Sequence, residues 1–150
     1  NMKSNNIEQL ASGTYAVKAD TERFGEQEIM FESYSKAECV QYILKTMAFL
    51  FRATGKEMYL AKMVRWMGED KMAKLEAACG RNAYLTSYYG LEHIRTYESE
   101  SGGVYIKMEG TRTSFSVFID ENGVIKKAPA VKTMRYRGTY HGTNVFSFMG

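Results

Sequence analysis

Proton transfer, nucleophilic attack and metal binding draw on a short menu of side chains. This chain offers few of them: two histidines, His93 and His141, and two cysteines, Cys39 and Cys79. His141 with Thr143 forms one H-x-T, a tripeptide that phosphoesterases with paired histidines carry twice. In those enzymes one imidazole protonates the leaving group and the other activates the attacking hydroxyl. His93 is followed by Ile94 and Arg95, so the second copy is missing, and His141 reads first as a turn residue beside Gly142. Cys39 falls in the first turns of an expected helix, where amide dipoles favour a thiolate. It also borders Val40 and Ile43, which makes it a core residue. Cys79 is at the opposite end of its helix, where the dipole opposes an anion. The two thiols are too far apart in sequence for a CxxC-type metal pair.

The larger motifs fail on inspection. A phosphate-cradling loop needs glycine ahead of Gly-Lys and a hydroxyl after it, but Leu50 and Glu57 flank Gly55 and Lys56. GxGxxG, GxSxG and HExxH do not occur. The acidic pair Glu69 and Asp70 belongs to a helix start, and Glu98 and Glu100 to a solvated turn. No cofactor or metal is expected. Any enzyme here would draw on His141, Arg135 and Tyr136, and the reading leans away from catalysis.

Binding has more support. The net charge of +3 is unevenly spread: residues 1–102 carry thirteen Lys and Arg against fourteen Asp and Glu, and residues 103–150 carry seven against three. Tyr105 and Lys107 alternate with Val104 and Ile106, and Arg112 and Phe118 lie opposite Phe115 and Val117. Lys126, Lys127, Lys132, Arg135, Tyr136, Arg137 and His141 extend this basic, aromatic surface. Cations that neutralise phosphates and rings on which bases stack are what single-stranded nucleic acid requires. The pattern also suits a solvated edge strand guarded against aggregation, and no RNP or KH signature is present. The expected function is therefore a non-catalytic binding protein whose carboxy-terminal sheet engages nucleic acid or an assembly that handles it. The alternative is a protein-binding module or inhibitor, as a homodimer or an accessory protein of a mobile element. It would use the helical face of Tyr59, Lys62, Arg65 and Trp66.

These residues must be held by a fold that the periodicity outlines. Thr14 to Asp20 and Gln27 to Tyr34 alternate on either side of Gly25, an opening hairpin expected to join the later sheet. Ser35 and Glu38 form a capping box, after which Val40, Ile43, Leu44, Met47, Leu50 and Phe51 trace one helical stripe. Thr54 and Glu57 repeat the box ahead of Leu60, Met63, Val64 and Met67. A third helix is expected from Asp70 to Cys79 and a short fourth over residues 81–90. From Leu91 the period becomes two, giving six short strands read as an antiparallel meander packed on the helices. At Asn122-Gly123, only a three-residue loop with Gly123 left-handed puts Ile119 opposite Ile125 and keeps the apolar face continuous.

With 45% hydrophobic residues and 150 positions, the composition fits a single α+β domain of hairpin, three to four central helices and carboxy-terminal sheet. Residues 1–13 are polar, without the apolar block of a secretory signal, and are expected to be a loosely ordered lead-in. No apolar run approaches the roughly 20 residues of a bilayer span. The two core-type cysteines point to a reducing cytoplasm.

Overall fold

The computed structural model describes residues 5–21, 23, 25–67, 91–110 and 114–141. Among them are β1 (Asn5–Gln9), β2 (Tyr15–Asp20), β3 (Gln27–Ser33), α1 (Lys36–Thr54), α2 (Glu57–Arg65), β4 (Leu91–Glu98), β5 (Val104–Gly110), β6 (Ser114–Ile119), β7 (Ile125–Lys126) and β8 (Arg135–His141). A 3₁₀ turn at Val131–Thr133 precedes β8. The chain divides within α1 into two compact units, Asn1–Ile43 and Leu44–Gly150.

The first unit is a three-stranded antiparallel sheet, β1-β2-β3, with the opening turns of α1. Ile7, Val17 and Phe31 share a rung, and Phe31 stacks on Tyr42 at 4.8 Å between ring centres. Here the expected hairpin gains a strand from the lead-in expected to be loose, and it belongs to its own sheet. Asn5–Gln9 contains a single apolar residue, so alternation gives no signal; an edge strand needs only backbone pairing and the 2.6 Å Lys18–Glu8 ion pair. At the start of α1 the Glu38 amide donates to Ser35 Oγ at 3.3 Å, one arm of the expected box. The other arm runs through Ser33, whose hydroxyl donates to the Glu38 carboxylate and accepts from the Ser35 amide.

The second unit holds the remainder of α1, α2 and a five-stranded antiparallel sheet of order β7-β6-β5-β4-β8. Leu44, Met47 and Phe51 of the predicted stripe are buried, as are Leu60, Met63, Val64 and Met67. Gly55, at φ 70°, closes α1 by donating its amide to Phe51 O at 2.7 Å. The second capping box does not form, because the Thr54 hydroxyl bonds back to Leu50 O at 2.8 Å; α2 starts at Glu57, and its N-cap residue Lys56 makes no side-chain cap bond.

Three expectations are corrected. Two helices, not three or four, occur among the described residues; the helices expected at 70–79 and 81–90, like the last expected strand at 144–149, lie outside them. The architecture is two antiparallel sheets with two helices, and not a hairpin joined to one sheet around a helical middle. The carboxy-terminal sheet departs from a meander, since β8 crosses back to pair with β4. Residues 131–133 coil into a turn following Pro129, with Thr133 Oγ1 donating to Ala130 O at 2.7 Å. The loop register is as expected: Ile119 pairs with Ile125 and Gly123 has φ 79°.

Candidate functional site

The carboxy-terminal sheet has one apolar and one polar face. Val104, Ile106 and Met108 of β5, Ile94 and Thr96 of β4 and Val117 and Ile119 of β6 form the buried face. The opposite face consists of three rungs read across β6, β5, β4 and β8. The first is Ser114, Glu109, His93 and His141; the second Ser116, Lys107, Arg95 and Thr139; the third Phe118, Tyr105, Tyr97 and Tyr136.

Half of the third rung is covered. Tyr105, Phe118 and Met134 form a small buried cluster against Tyr97 and Ala128, so the chain leading into β8 lies over these rings. Tyr105 therefore offers no free ring to a base, which corrects the expectation that it would. Tyr136 stays accessible, 52% exposed, with its edge on Tyr97. The first two rungs are open: Arg95 and Lys107 are half-exposed and His141 is exposed. Glu109 binds Arg95 in a two-pronged ion pair and lies 3.6 Å from His93 Nε2 and 3.7 Å from Lys107 Nζ. The Arg95 hydrogen bonds, with help from the Lys107 and His93 charges, hold the Glu109 carboxyl below the usual range.

A bulge separates the two arginines of β8 from this face. The register jumps from Thr96 opposite Gly138 to Tyr97 opposite Tyr136, leaving Arg137 with no partner on β4. Tyr136 thus joins the polar rungs, and Arg137 reaches the helical side. Its Nη1 is 3.0 Å from Glu98, its Nη2 donates to Phe51 O at 3.0 Å, and its guanidinium lies 5.1 Å from the Phe51 ring centre. Arg135 and Arg52 bind the same carboxylate. Three guanidiniums converge on one acid whose side chain is 8% exposed. Burial pushes Glu98 upward, but the bonds and charges of Arg135, Arg137 and Arg52 outweigh it and hold the carboxyl below its ordinary value. This group carries two more positive charges than negative ones. Beside it an open cleft of about 460 Å³ is lined by Gly55, Arg135, Tyr136, Arg137 and Tyr140. The buried Nε of Arg137 has no hydrogen-bond partner among the described residues.

The other expected site residues are dispersed. Lys126 pairs with Asp120 at 3.2 Å, Lys127 and Lys132 are exposed away from the cleft lining, and Arg112 lies outside the described residues. Of the helical alternative, Tyr59, Lys62 and Trp66 are half-buried, with the exposed Arg65 6.0 Å from the Trp66 ring centre. Burial, and then the Arg65 charge, push Lys62 down. Sequence reasoning missed Arg52, Arg95 and Glu109, set His93 aside for want of a second H-x-T, and read Glu98 as a solvated turn residue, whereas it is buried at the end of β4 among three arginines. Strand pairing alone brings His93 opposite His141, and tripeptide motifs carry no sign of that.

Cys39 is fully buried, and its thiol donates to Tyr15 O at 3.5 Å. Burial, then the Glu38 charge, push the thiol up. Peptide-resolved alkylation of the native protein should leave Cys39 unmodified and label it only after denaturation; native labelling would restore it as a nucleophile. Among the described residues no group of three or more His, Cys, Asp or Glu is placed to hold a metal ion, and no helix is long and apolar enough to cross a membrane. No family model, curated protein or solved structure matches the chain.

Proposed function

We propose that the protein binds single-stranded nucleic acid, with the strand lying across the open rungs of the five-stranded sheet and a phosphate entering the cleft at the edge of β8. The observation that carries this reading is the surplus of two positive charges around Glu98 beside a cleft that also holds the exposed ring of Tyr136. Guanidiniums match phosphate geometry with two-pronged hydrogen bonds, and a tyrosine face accepts a base without regard to sequence. Arg95 and Lys107 on the neighbouring rung continue the cationic track, and Tyr136 borders both regions. A reducing compartment such as the cytoplasm suits the free Cys39.

Fluorescence anisotropy with short single- and double-stranded oligonucleotides tests the reading. Four phosphate contacts imply a loss of roughly 50-fold in affinity between 50 and 200 mM salt. Tyr136→Ala should lose about 1–3 kcal/mol of binding through stacking, and Arg135→Ala should flatten the salt dependence by about one contact. Absence of binding at low salt, or a salt-independent affinity, defeats the reading.

A further inference from the structure

We propose that the first rung of the open sheet face is an acid–base site that cleaves a bound RNA strand, with His93 and His141 as the proton-transferring pair. The inference rests on the nucleic-acid reading above and adds a reaction to it.

Its basis is a juxtaposition made by the strand register. His93 on β4 is directly opposite His141 on β8 and, on its other side, is paired with Glu109 on β5. Directly opposed residues have Cβ atoms about 4.5–5.5 Å apart, so two imidazoles can flank one phosphodiester. Neither ring is buried core: His141 is exposed and His93 half-exposed, on a face whose first two rungs are otherwise hydroxyls and charges. Histidine is the side chain that both takes and gives a proton near neutral pH.

The neighbours have complementary roles. Glu109 is gripped by Arg95 and is kept anionic, so its Oε1, 3.6 Å from His93 Nε2, places a carboxylate beside that ring. Arg95 and Lys107, one rung along, offer the positive charge needed where negative charge builds on the phosphoryl oxygens. Thr139 and Ser114 complete the polar surroundings of the pair on β8 and β6.

The reaction balances without a co-reactant. The RNA 2′-hydroxyl passes its proton to the neutral imidazole as its oxygen bonds to phosphorus. The bond from phosphorus to the 5′-oxygen breaks, and the second ring, entering as imidazolium, gives its proton to that oxygen. The products are a 2′,3′-cyclic phosphate and a 5′-hydroxyl, and the two rings have exchanged protonation states. A strand with deoxyribose at the scissile position has no attacking hydroxyl and is inert.

The test uses the full chain and a short single-stranded RNA carrying a fluorophore and a quencher, with rates taken at saturating RNA. Cleavage to a 2′,3′-cyclic phosphate, with a bell-shaped pH dependence and no cleavage of the 2′-deoxy analogue, is expected. His93→Ala and His141→Ala, purified in parallel and shown to fold by circular dichroism, should each lower the saturated rate by about 100-fold or more. RNA that is bound but uncut overturns the reaction and leaves the binding reading intact, as does cutting that survives both substitutions. Failure to bind RNA or DNA overturns both.

Discussion

Glu98→Gln lowers the unfolding free energy by about 3 kcal/mol, the expected result of leaving three guanidiniums around a neutral amide. Glutamine has the same shape, so packing against Val104 and Arg135, its neighbours in the ladder, is unchanged and the loss is electrostatic. The figure is at the lower end of the range for a broken buried pair, because the three partners differ in exposure. Arg137 is 19% exposed, whereas Arg135 is 77% exposed and its share is screened by water. Removing one cation is gentler: Arg137→Met leaves the carboxylate with Arg52 and Arg135 and should cost about half as much, with a favourable coupling between the two sites in a double-mutant cycle. Urea melts, which add no salt, provide the measurement. A loss below about 1 kcal/mol in Glu98→Gln would mean that the cluster behaves as ordinary surface charge.

The same substitution alters the acid limb of stability. Glu98, Glu109 and Asp120 all have folded-state values below their ordinary ones; burial pushes Asp120 up, but the Val124 and Asn122 amides and Lys126 outweigh it. A carboxyl lowered on folding contributes stability that is present above its unfolded value, near 4, and that disappears as pH falls through the folded value. Wild-type stability should therefore fall on acidification below about pH 4. The slope should be shallower in Glu98→Gln, which has one fewer proton to take up.

Where the sequence was legible, a single local constraint decided the outcome. The three-residue loop at Gly123 follows from keeping Ile119 and Ile125 on one face, and the stripe from Ile43 to Phe51 from helical spacing. Bulges broke the readings that relied on longer alternation. Strict parity keeps Arg135 and Arg137 on the face opposite Tyr136. The slip at Arg137 leaves Tyr136 on the open face and brings both arginines to Glu98. A second slip, between Val17 and Lys18, leaves Met30 without a partner and separates Ile29 from the Phe31 rung. The first slip has Gly138 beside it, whereas the second has no glycine to mark it. The histidine rung was illegible for another reason: it depends on β8 returning to β4, a pairing between distant segments that no local period encodes.

Phe51→Ala should cost about 3–5 kcal/mol, the range for emptying an aromatic site in a packed core. Phe51 is fully buried, and its ring meets Tyr140 edge-on at 5.8 Å between centres. It is also the surface over which the Arg137 guanidinium rests, an interaction worth about 0.5–2 kcal/mol of its own. Phe51→Leu separates the two contributions: it refills much of the volume but provides no π face, so its smaller loss reports mainly on ring contacts. The backbone oxygen at this position still accepts from Gly55 and Arg137 in either variant, so the end of α1 should persist. What a leucine side chain cannot do is offer the guanidinium a π face. If Arg137 owes its position in the cleft to the Phe51 ring, Phe51→Leu weakens oligonucleotide binding while remaining folded. An affinity equal to wild type would show that Glu98 and the Phe51 carbonyl position the arginine without the ring.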